Sequence, residues 1–303
     1  MSVKPPTYLN TSGLGHRQLK RNLKYAIPTL FVVATLLTAC QQAGISPAAF
    51  DTSKSDVTPS AALTDTARDH GNLASLSQVI KANPNDAGAL NLRGTAYGRA
   101  KSYKKALADF NRALAINPEY YQAIANRALI YVKMREYQKA RSDYDKTLSL
   151  NPQYGIAYIG RGNLNAINKH YHQAVGDFTR VIKLEGGNAI AWFSRGKTYQ
   201  LLGQHQAAER DFEQAIALKP ISSEPYFRRG LSRMELGKTD AAYEDFLVAS
   251  RRNDNHYAAW TYRGIAAERL GKKKKARLAY KHALRIKSGF KLAKDGLRRV
   301  GDA

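Results

Sequence analysis

Small and aromatic side chains recur along residues 87–290 with a period of 34 residues. Six consecutive blocks, without insertions, begin at residues 87, 121, 155, 189, 223 and 257. The eighth place of a block is always small: Gly94, Ala128, Gly162, Gly196, Gly230 and Gly264. The twentieth place is always alanine: Ala106, Ala140, Ala174, Ala208, Ala242 and Ala276. The twenty-fourth place is always aromatic: Phe110, Tyr144, Phe178, Phe212, Phe246 and Tyr280. A fixed period of this length predicts a repeat architecture.

Each block is expected to contain two helices joined by a short turn. Helices approach closely where side chains are small, which the eighth and twentieth places provide, and the aromatic residue fills the space beside them. Leu-Gly pairs at 202–203, 236–237 and 270–271 predict the end of the first helix, because Gly readily adopts the left-handed conformation. Asn-Pro pairs at 117–118 and 151–152 predict the end of the second helix.

The pattern resembles the tetratricopeptide repeat, a helix–turn–helix unit of 34 residues. The resemblance implies an all-α, right-handed superhelical solenoid with about six full repeats, a leading half-repeat and a C-terminal capping helix. The implied repeats within 87–290 are 87–120, 121–154, 155–188, 189–222, 223–256 and 257–290. Residues 66–86 are interpreted as the partial leading repeat, and residues 291–303 as the capping helix and tail.

Residues 1–39 have the composition of a secretory signal. Five Lys or Arg and no acid occur in residues 1–24, and the apolar run at 26–39 ends at Cys40, the single cysteine of the chain. A helix of this run would span about 21 Å against about 30 Å of bilayer hydrocarbon, which disfavours a permanent transmembrane helix. The sequence Leu37-Thr38-Ala39-Cys40 resembles a bacterial lipobox, which implies removal of residues 1–39 and lipidation of Cys40. The alternative is an uncleaved signal anchor with a free thiol.

Residues 40–65 are rich in Ala, Ser, Thr, Asp and Pro, and their composition predicts a flexible tether behind the lipidated cysteine. Gln41 follows Cys40, and in lipoproteins of this kind the lack of an Asp there is compatible with the outer membrane. The predicted location is therefore the bacterial cell envelope, with the protein lipid-anchored to the outer membrane and facing the periplasm.

The chain is strongly basic, with 48 Lys and Arg against 24 Asp and Glu among 303 residues, a net charge of +24. Residues 257–303 alone hold 14 basic and 3 acidic residues, a net +11. The predicted basic patch comprises Lys272, Lys273, Lys274, Lys275, Lys291, Lys294, Arg298 and Arg299. Such a charge run is either a solvated face or a surface for an anionic partner. Nucleic acid is excluded as a partner by the predicted compartment.

No catalytic or cofactor motif is present in the sequence, which predicts a non-enzymatic protein without cofactor or metal. A single cysteine excludes an internal disulfide framework. His170 and His172 form the only close histidine pair, and two histidines without a third ligand are a weak metal signal. A solvated turn is the preferred interpretation of that pair.

Arginine occupies the seventh place of every block, as Arg93, Arg127, Arg161, Arg195, Arg229 and Arg263. Aspartate occupies the twenty-third place of five blocks, as Asp109, Asp143, Asp177, Asp211 and Asp245, with Ala279 in the sixth. Arg–carboxylate pairing between the two helices explains these two recurring places better than a row of free arginines, an arginine ladder, that binds a polyanion. The pairs could close within a repeat, leaving Arg263 without its Asp, or between neighbouring repeats, leaving Arg93 without one.

In the tetratricopeptide family a concave groove is lined mainly by places 2, 5, 9, 12 and 13 of the first helix. The resemblance places eight candidate binding residues there: Ile159, Asn163, Ile167, Phe193, Lys197, Leu201, Phe227 and Leu231. Apolar side chains on an open face favour a partner, here envelope proteins or peptides. The alternatives are that neighbouring helices cover them or that a second copy of the chain does, as a homodimer.

The lipobox, tether and repeats together resemble the envelope lipoproteins of the NlpI type. That resemblance implies a membrane-anchored scaffold or adaptor for protein–protein interaction, serving cell-wall hydrolases or proteases. The alternative is an assembly lipoprotein of the pilotin kind, for a secretion or type IV pilus machine. Fold analogy alone does not choose between these partners.

Overall fold

A computed structural model describes residues 66–301, with side chains from residue 73 onward. The predicted signal peptide, Cys40 and the tether lie outside the described residues. Within the described range the backbone forms fourteen helices and no strand. The helices are α1 Thr66–Ala82, α2 Ala87–Arg99, α3 Tyr103–Ile116, α4 Tyr121–Lys133, α5 Tyr137–Leu150, α6 Gly155–Ile167, α7 Tyr171–Leu184, α8 Ala189–Leu201, α9 His205–Leu218, α10 Ser223–Glu235, α11 Thr239–Arg252, α12 Tyr257–Arg269, α13 Lys273–Ile286 and α14 Lys291–Val300.

Helices α2 to α13 form six antiparallel pairs, and each pair packs chiefly on the helices that precede and follow it in the chain. Helix α1 covers the start of this array and α14 covers its end. The predicted all-α solenoid with six helix pairs, a leading helix and a capping helix is therefore confirmed. None of the helices in residues 66–301 combines the length and the apolar character that a membrane span requires.

The closest approach within each pair lies where the small eighth residue meets the aromatic residue of the second helix. The rings of Phe110, Phe178, Phe212, Phe246 and Tyr280 are almost completely buried. A methyl group added to Gly230 would lie 2.6 Å from Phe246 Cε1, so only glycine leaves room for the ring there. The alanine at the twentieth place is fully buried in all six pairs. These contacts set the distance between the two helices of a repeat.

The turn after the first helix uses a left-handed residue in every repeat. Gly203, Gly237 and Gly271 have φ of 71°, 73° and 71°, as the Leu-Gly pairs predict. In the first three repeats the same place is held by non-glycine residues, Lys101, Arg135 and Lys169, with φ of 58°, 63° and 61°. The turn geometry is thus conferred by the repeat and not by glycine alone.

Helix α14 buries Ala293, Gly296 and Val300 against the last repeat. Gly296 lies against the ring of Tyr280, and Gly160 lies in the same way against the ring of Tyr144. The two repeats that carry Tyr instead of Phe are thus each followed by a glycine in the next first helix. The larger ring is accommodated by removing a side chain from its neighbour.

Replacing Gly230 by Ala is expected to destabilise the protein by about 1–3 kcal/mol, because the new methyl group overlaps the Phe246 ring. Gly176 provides the matched control, since it is helical and exposed and has no neighbouring heavy atom within 4 Å of an added methyl. Gly176→Ala should stabilise by about 0.5–1 kcal/mol through helix propensity. Urea unfolding of both variants measures the difference. Equal effects of the two substitutions would contradict this account of the packing.

Candidate binding groove

One face of the solenoid is formed by the first helices of the repeats. Neighbouring first helices such as α2 and α4, α4 and α6, and α6 and α8 contact each other directly, and contacts of comparable extent are not made between neighbouring second helices. The first helices therefore lie closer together and line the inner side of the curve, while the second helices form the outer side. The candidate groove is the inner face of these first helices.

The arginines at the seventh place bind the aspartates of their own repeat. Nε and Nη2 of Arg93, Arg127 and Arg195 donate to the two carboxylate oxygens at 2.7–2.9 Å. Nη2 of Arg161 and of Arg229 donates to the corresponding carboxylate at 2.7 Å. The predicted Arg–Asp pairing is thus confirmed for five repeats, and it closes within the repeat.

These five pairs belong to the framework of the fold. The aspartates are buried and the arginine side chains retain only 14–23% of their exposure. The hydrogen bonds to Asp109 raise the pKa of Arg93, so the guanidinium is charged at any working pH. A bidentate Arg–carboxylate pair fixes geometry as well as adding energy. Five of the six arginines are therefore not a free cationic ladder.

Two of the eight predicted groove residues are buried, which corrects the expectation that they lie on an open face. Ile159 retains 3% of its exposure and packs in a cluster with Val181 and Ala191. Phe227 retains 7%, because its ring is enclosed by Phe246 and His256 of its own repeat and by Tyr262 of the next. The fifth place of the first helix serves packing between repeats here. Covering by neighbouring helices was the alternative, and it holds at these two positions.

Phe193 and Leu231 are half-buried. Phe193 packs at 5.8 Å from the ring of Phe212, while Leu231 packs against the core of the last two repeats. Both side chains keep one accessible edge, so they can form only the floor of a groove.

Four of the predicted residues are exposed: Asn163, Ile167, Lys197 and Leu201. Ile167 and Leu201 are the last residues of the consecutive first helices α6 and α8 and are 50% and 59% exposed. They occupy the same place in neighbouring repeats, so they form an apolar pair at one rim of the groove. Among the eight predicted groove residues, these two are the exposed apolar side chains.

Lys197 carries the positive charge at the middle of the groove. Its ammonium lies 5.6 Å from the ring centre of Phe193. Desolvation by the surrounding protein lowers the pKa of Lys197, and the nearby charge of Arg228 lowers it further. The carboxylate of Glu224 acts in the opposite direction and raises the pKa of Lys197.

Arg228 and its neighbours were not among the predicted site residues, although they stand on α10 beside the groove. Arg228 Nε donates to Glu224 at 2.8 Å, and His256 Nε2 lies 3.3 Å from the other oxygen of that carboxylate. The hydrogen bond with His256 lowers the pKa of Glu224 to about 2, and Arg228 contributes in the same direction. The sequence signal for this site was the charged residue at the sixth place of the fifth repeat. The three repeats before it carry Asn, Gly or Ser at that place.

The groove near its N-terminal end is polar. The amide of Asn126 donates to Asn91 at 3.0 Å and lies 3.4 Å from the hydroxyl of Thr95. Across the middle of the groove, Gln200 donates to the carbonyl of Arg228 and to the hydroxyl of Ser232, both at 2.9 Å. The surface thus changes from amide-lined to apolar and cationic along the solenoid.

The predicted basic patch separates into paired and unpaired cations. Arg299 binds Glu268 through two hydrogen bonds of 2.7 and 3.0 Å, and Arg298 binds Asp295. Lys272 lies 3.5 Å from Asp240 on the preceding repeat. The remaining members are exposed at the start of α13 and on α14: Lys273, Lys274, Lys275, Lys291 and Lys294.

A shallow open depression of about 570 Å³ lies between α13 and α14. Its lining includes Leu284 and Leu297 together with Lys291, Lys294 and Arg298. Asp295 also faces it, so the depression is not uniformly cationic.

His170 and His172 stand exposed at the turn before α7 and at its start. In the described part of the chain, no three His, Cys, Asp or Glu side chains come together as a metal site would need.

Comparison with known families identifies the repeats. Profiles described as tetratricopeptide repeat match residues 87–120, 121–154, 189–221 and 227–289, together more than half of the chain. The chain belongs to the tetratricopeptide repeat family. Proteins of this family mediate protein–protein interaction and bind peptides or proteins in a groove, on a fold that is typically non-catalytic. A comparison with curated proteins gives no match.

Solved structures with a similar fold share little sequence with this chain. YrrB, described as a tetratricopeptide repeat protein with an unusual peptide-binding site, is 23% identical with a TM-score of 0.55, covering 62% of this chain and 97% of YrrB. PilF of Pseudomonas aeruginosa is 14% identical with a TM-score of 0.64, covering 70% and 97%. PilW, described as a widely conserved type IV pilus biogenesis factor, is 19% identical with a TM-score of 0.61, covering 71% and 97%. At these identities the likeness shows the fold alone.

Proposed function

We propose that this protein is a scaffold of the bacterial envelope, anchored through Cys40, that holds a partner polypeptide in its inner groove. The observation that carries the proposal is the exposed apolar pair Ile167 and Leu201 beside the exposed ammonium of Lys197. Apolar side chains with a charged centre suit a peptide segment better than a small polar ligand. The protein itself then performs no reaction, and its partners are cell-wall hydrolases or proteases.

Chemical complementarity defines the segment that this groove would take. Two apolar side chains one repeat apart require two apolar residues on the partner, and the exposed ammonium of Lys197 favours an acidic group between or beside them. The half-buried edges of Phe193 and Leu231 supply the floor. An extended or helical segment of a larger protein supplies such a pattern.

The second candidate is an assembly factor for a pilus or secretion machine. It is supported by the fold shared with PilW, the type IV pilus biogenesis factor. Because that likeness is one of fold, the identity of the captured partner distinguishes the two candidates.

Replacing Ile167 and Leu201 together by Ala is expected to weaken partner capture at least about tenfold, corresponding to about 1.4 kcal/mol, because both apolar contacts are lost.

A photo-crosslinking residue at position 201, in cells, identifies the partner directly. Position 218 is the control, since Leu218 is 43% exposed on a second helix, away from the groove. Cross-links to cell-wall enzymes from 201 and not 218 support the scaffold, and cross-links to pilus or secretin proteins support the second candidate. Unchanged capture by the double variant would contradict the groove.

Cys40→Ser is expected to abolish incorporation of a labelled fatty acid and to release the protein from the membrane fraction. The reason is that Cys40 is the only cysteine available to carry a thioether-linked lipid. Metabolic labelling followed by fractionation measures both effects. Retained label in the serine variant would contradict the lipid anchor.

A further inference from the structure

The sixth arginine of the ladder differs from the other five in its surroundings. In each of the first five repeats the guanidinium meets the aspartate of its own repeat and also a polar side chain on the preceding second helix. These polar neighbours of Nη1 are Ser77 at 3.3 Å, Asn111 at 2.8 Å, Asp145 at 2.8 Å, Thr179 at 3.0 Å and Glu213 at 3.9 Å. The seventh-place arginine therefore has two hydrogen-bond acceptors in the first four repeats, and in the fifth it has the aspartate and the more distant carboxylate of Glu213.

Arg263 has neither acceptor. The aspartate place of its own repeat is Ala279, and the polar place on the preceding second helix is Leu247. Among the described residues, Nε of Arg263 is buried without any hydrogen-bond partner. A buried donor that forms no hydrogen bond costs free energy, so its retention calls for an explanation.

The surroundings of Arg263 are aromatic and cationic. The guanidinium lies 4.9 Å from the ring centre of Trp260 and 6.0 Å from that of Tyr243. Lys272 lies 5.2 Å from the same Tyr243 ring, so two cations share one aromatic neighbour. Asp240 is the acid nearest to Lys272, at 3.5 Å, and it is 82% exposed, where solvent weakens the pair.

This cluster lies on the outer side of the last repeat. The five paired arginines reach from the first helix to the second helices of their own and the preceding repeat, and Arg263 occupies the same place in the array. The seventh place is not among the places that line the inner groove, and the guanidinium of Arg263 lies near Tyr243 on the preceding second helix. The cluster is therefore a second surface, independent of the groove proposed above.

The five complete repeats show which ligand Arg263 would take. In each of them a carboxylate binds this arginine at 2.7–2.8 Å. A planar guanidinium with an aromatic neighbour favours a carboxylate in a fork geometry and also an apolar contact beside it. The exposed lysines Lys273, Lys274 and Lys275 continue the positive charge along the start of α13. An acidic polypeptide segment satisfies all three features.

We propose that Arg263 anchors a binding site for an Asp or Glu side chain of an acidic partner segment, on the outer surface of the last repeat. The partner's carboxylate binds the terminal amino groups of Arg263 from the solvent side, since the buried Ala279 fills the place that aspartate holds in the other repeats. The half-buried Trp260 provides the adjoining apolar contact, and Lys273 to Lys275 hold the neighbouring acidic residues. The missing acceptors at Ala279 and Leu247 thus become the means of recognition.

The direct test supplies the missing aspartate within the chain. In Ala279→Asp the new carboxylate should pair with Arg263 and raise the unfolding midpoint. It should also weaken the binding of a fluorescein-labelled hexaglutamate peptide about tenfold or more. Peptide binding is measured by anisotropy on the full-length protein at low salt. Leu278→Asp is the matched control, because it adds the same charge one residue away on a side chain that is 69% exposed. It should weaken binding less than about threefold, as expected for an exposed charge.

Arg263→Gln provides a second variant that does not depend on accommodating a new acid, and it should also lose peptide affinity. Equal losses in Ala279→Asp and Leu278→Asp would overturn the proposal in favour of diffuse charge attraction. Unchanged affinity in Arg263→Gln, absence of peptide binding to the unmodified protein, or stronger binding to vesicles of phosphatidylglycerol than to the peptide would also overturn it. The Ile167→Ala and Leu201→Ala double variant should retain peptide affinity, so failure of either proposed surface is recognised separately.

Discussion

The buried Arg–Asp pair is the interaction on which the account of this molecule depends. In five consecutive repeats it joins the two helices of a repeat, and the same guanidinium reaches a polar side chain of the repeat before it. The pair therefore couples neighbours in an array whose units otherwise meet through small and aromatic side chains. Because its aspartates are buried, loss of either partner would leave an uncompensated charge in the structure.

This constraint changes the meaning of the basic composition. A net charge of +24 suggests a surface for polyanions, yet five of the arginines have their charge compensated inside the fold. Of the basic patch near the C-terminus, Arg298, Arg299 and Lys272 are also paired with acids. Recognition is then assigned to Lys197 in the groove and to Arg263 with the exposed Lys273, Lys274 and Lys275.

The sequence was sufficient to predict the repeat, its register and the pairing of Arg with Asp, because each depends on residue types that recur every 34 residues. It was not sufficient to separate groove residues from packing residues. Ile159 and Phe227 occupy a place that the family uses for binding, but here neighbouring helices cover them. Likewise the cluster at Arg263 depends on Leu247, which lies in the preceding repeat. Only the coordinates show which residues of neighbouring repeats contact each other, and therefore that position 247 affects Arg263.

The most direct test of the central claim is a double-mutant cycle on Arg195 and Asp211 by equilibrium urea unfolding. If the pair is part of the framework, Arg195→Ala and Asp211→Ala should each destabilise the protein, and the double variant should lose less than the sum, with a coupling energy of about 1–3 kcal/mol. Strictly additive effects, or an Arg195→Ala variant as stable as the unmodified protein, would contradict the claim that the arginine ladder is structural.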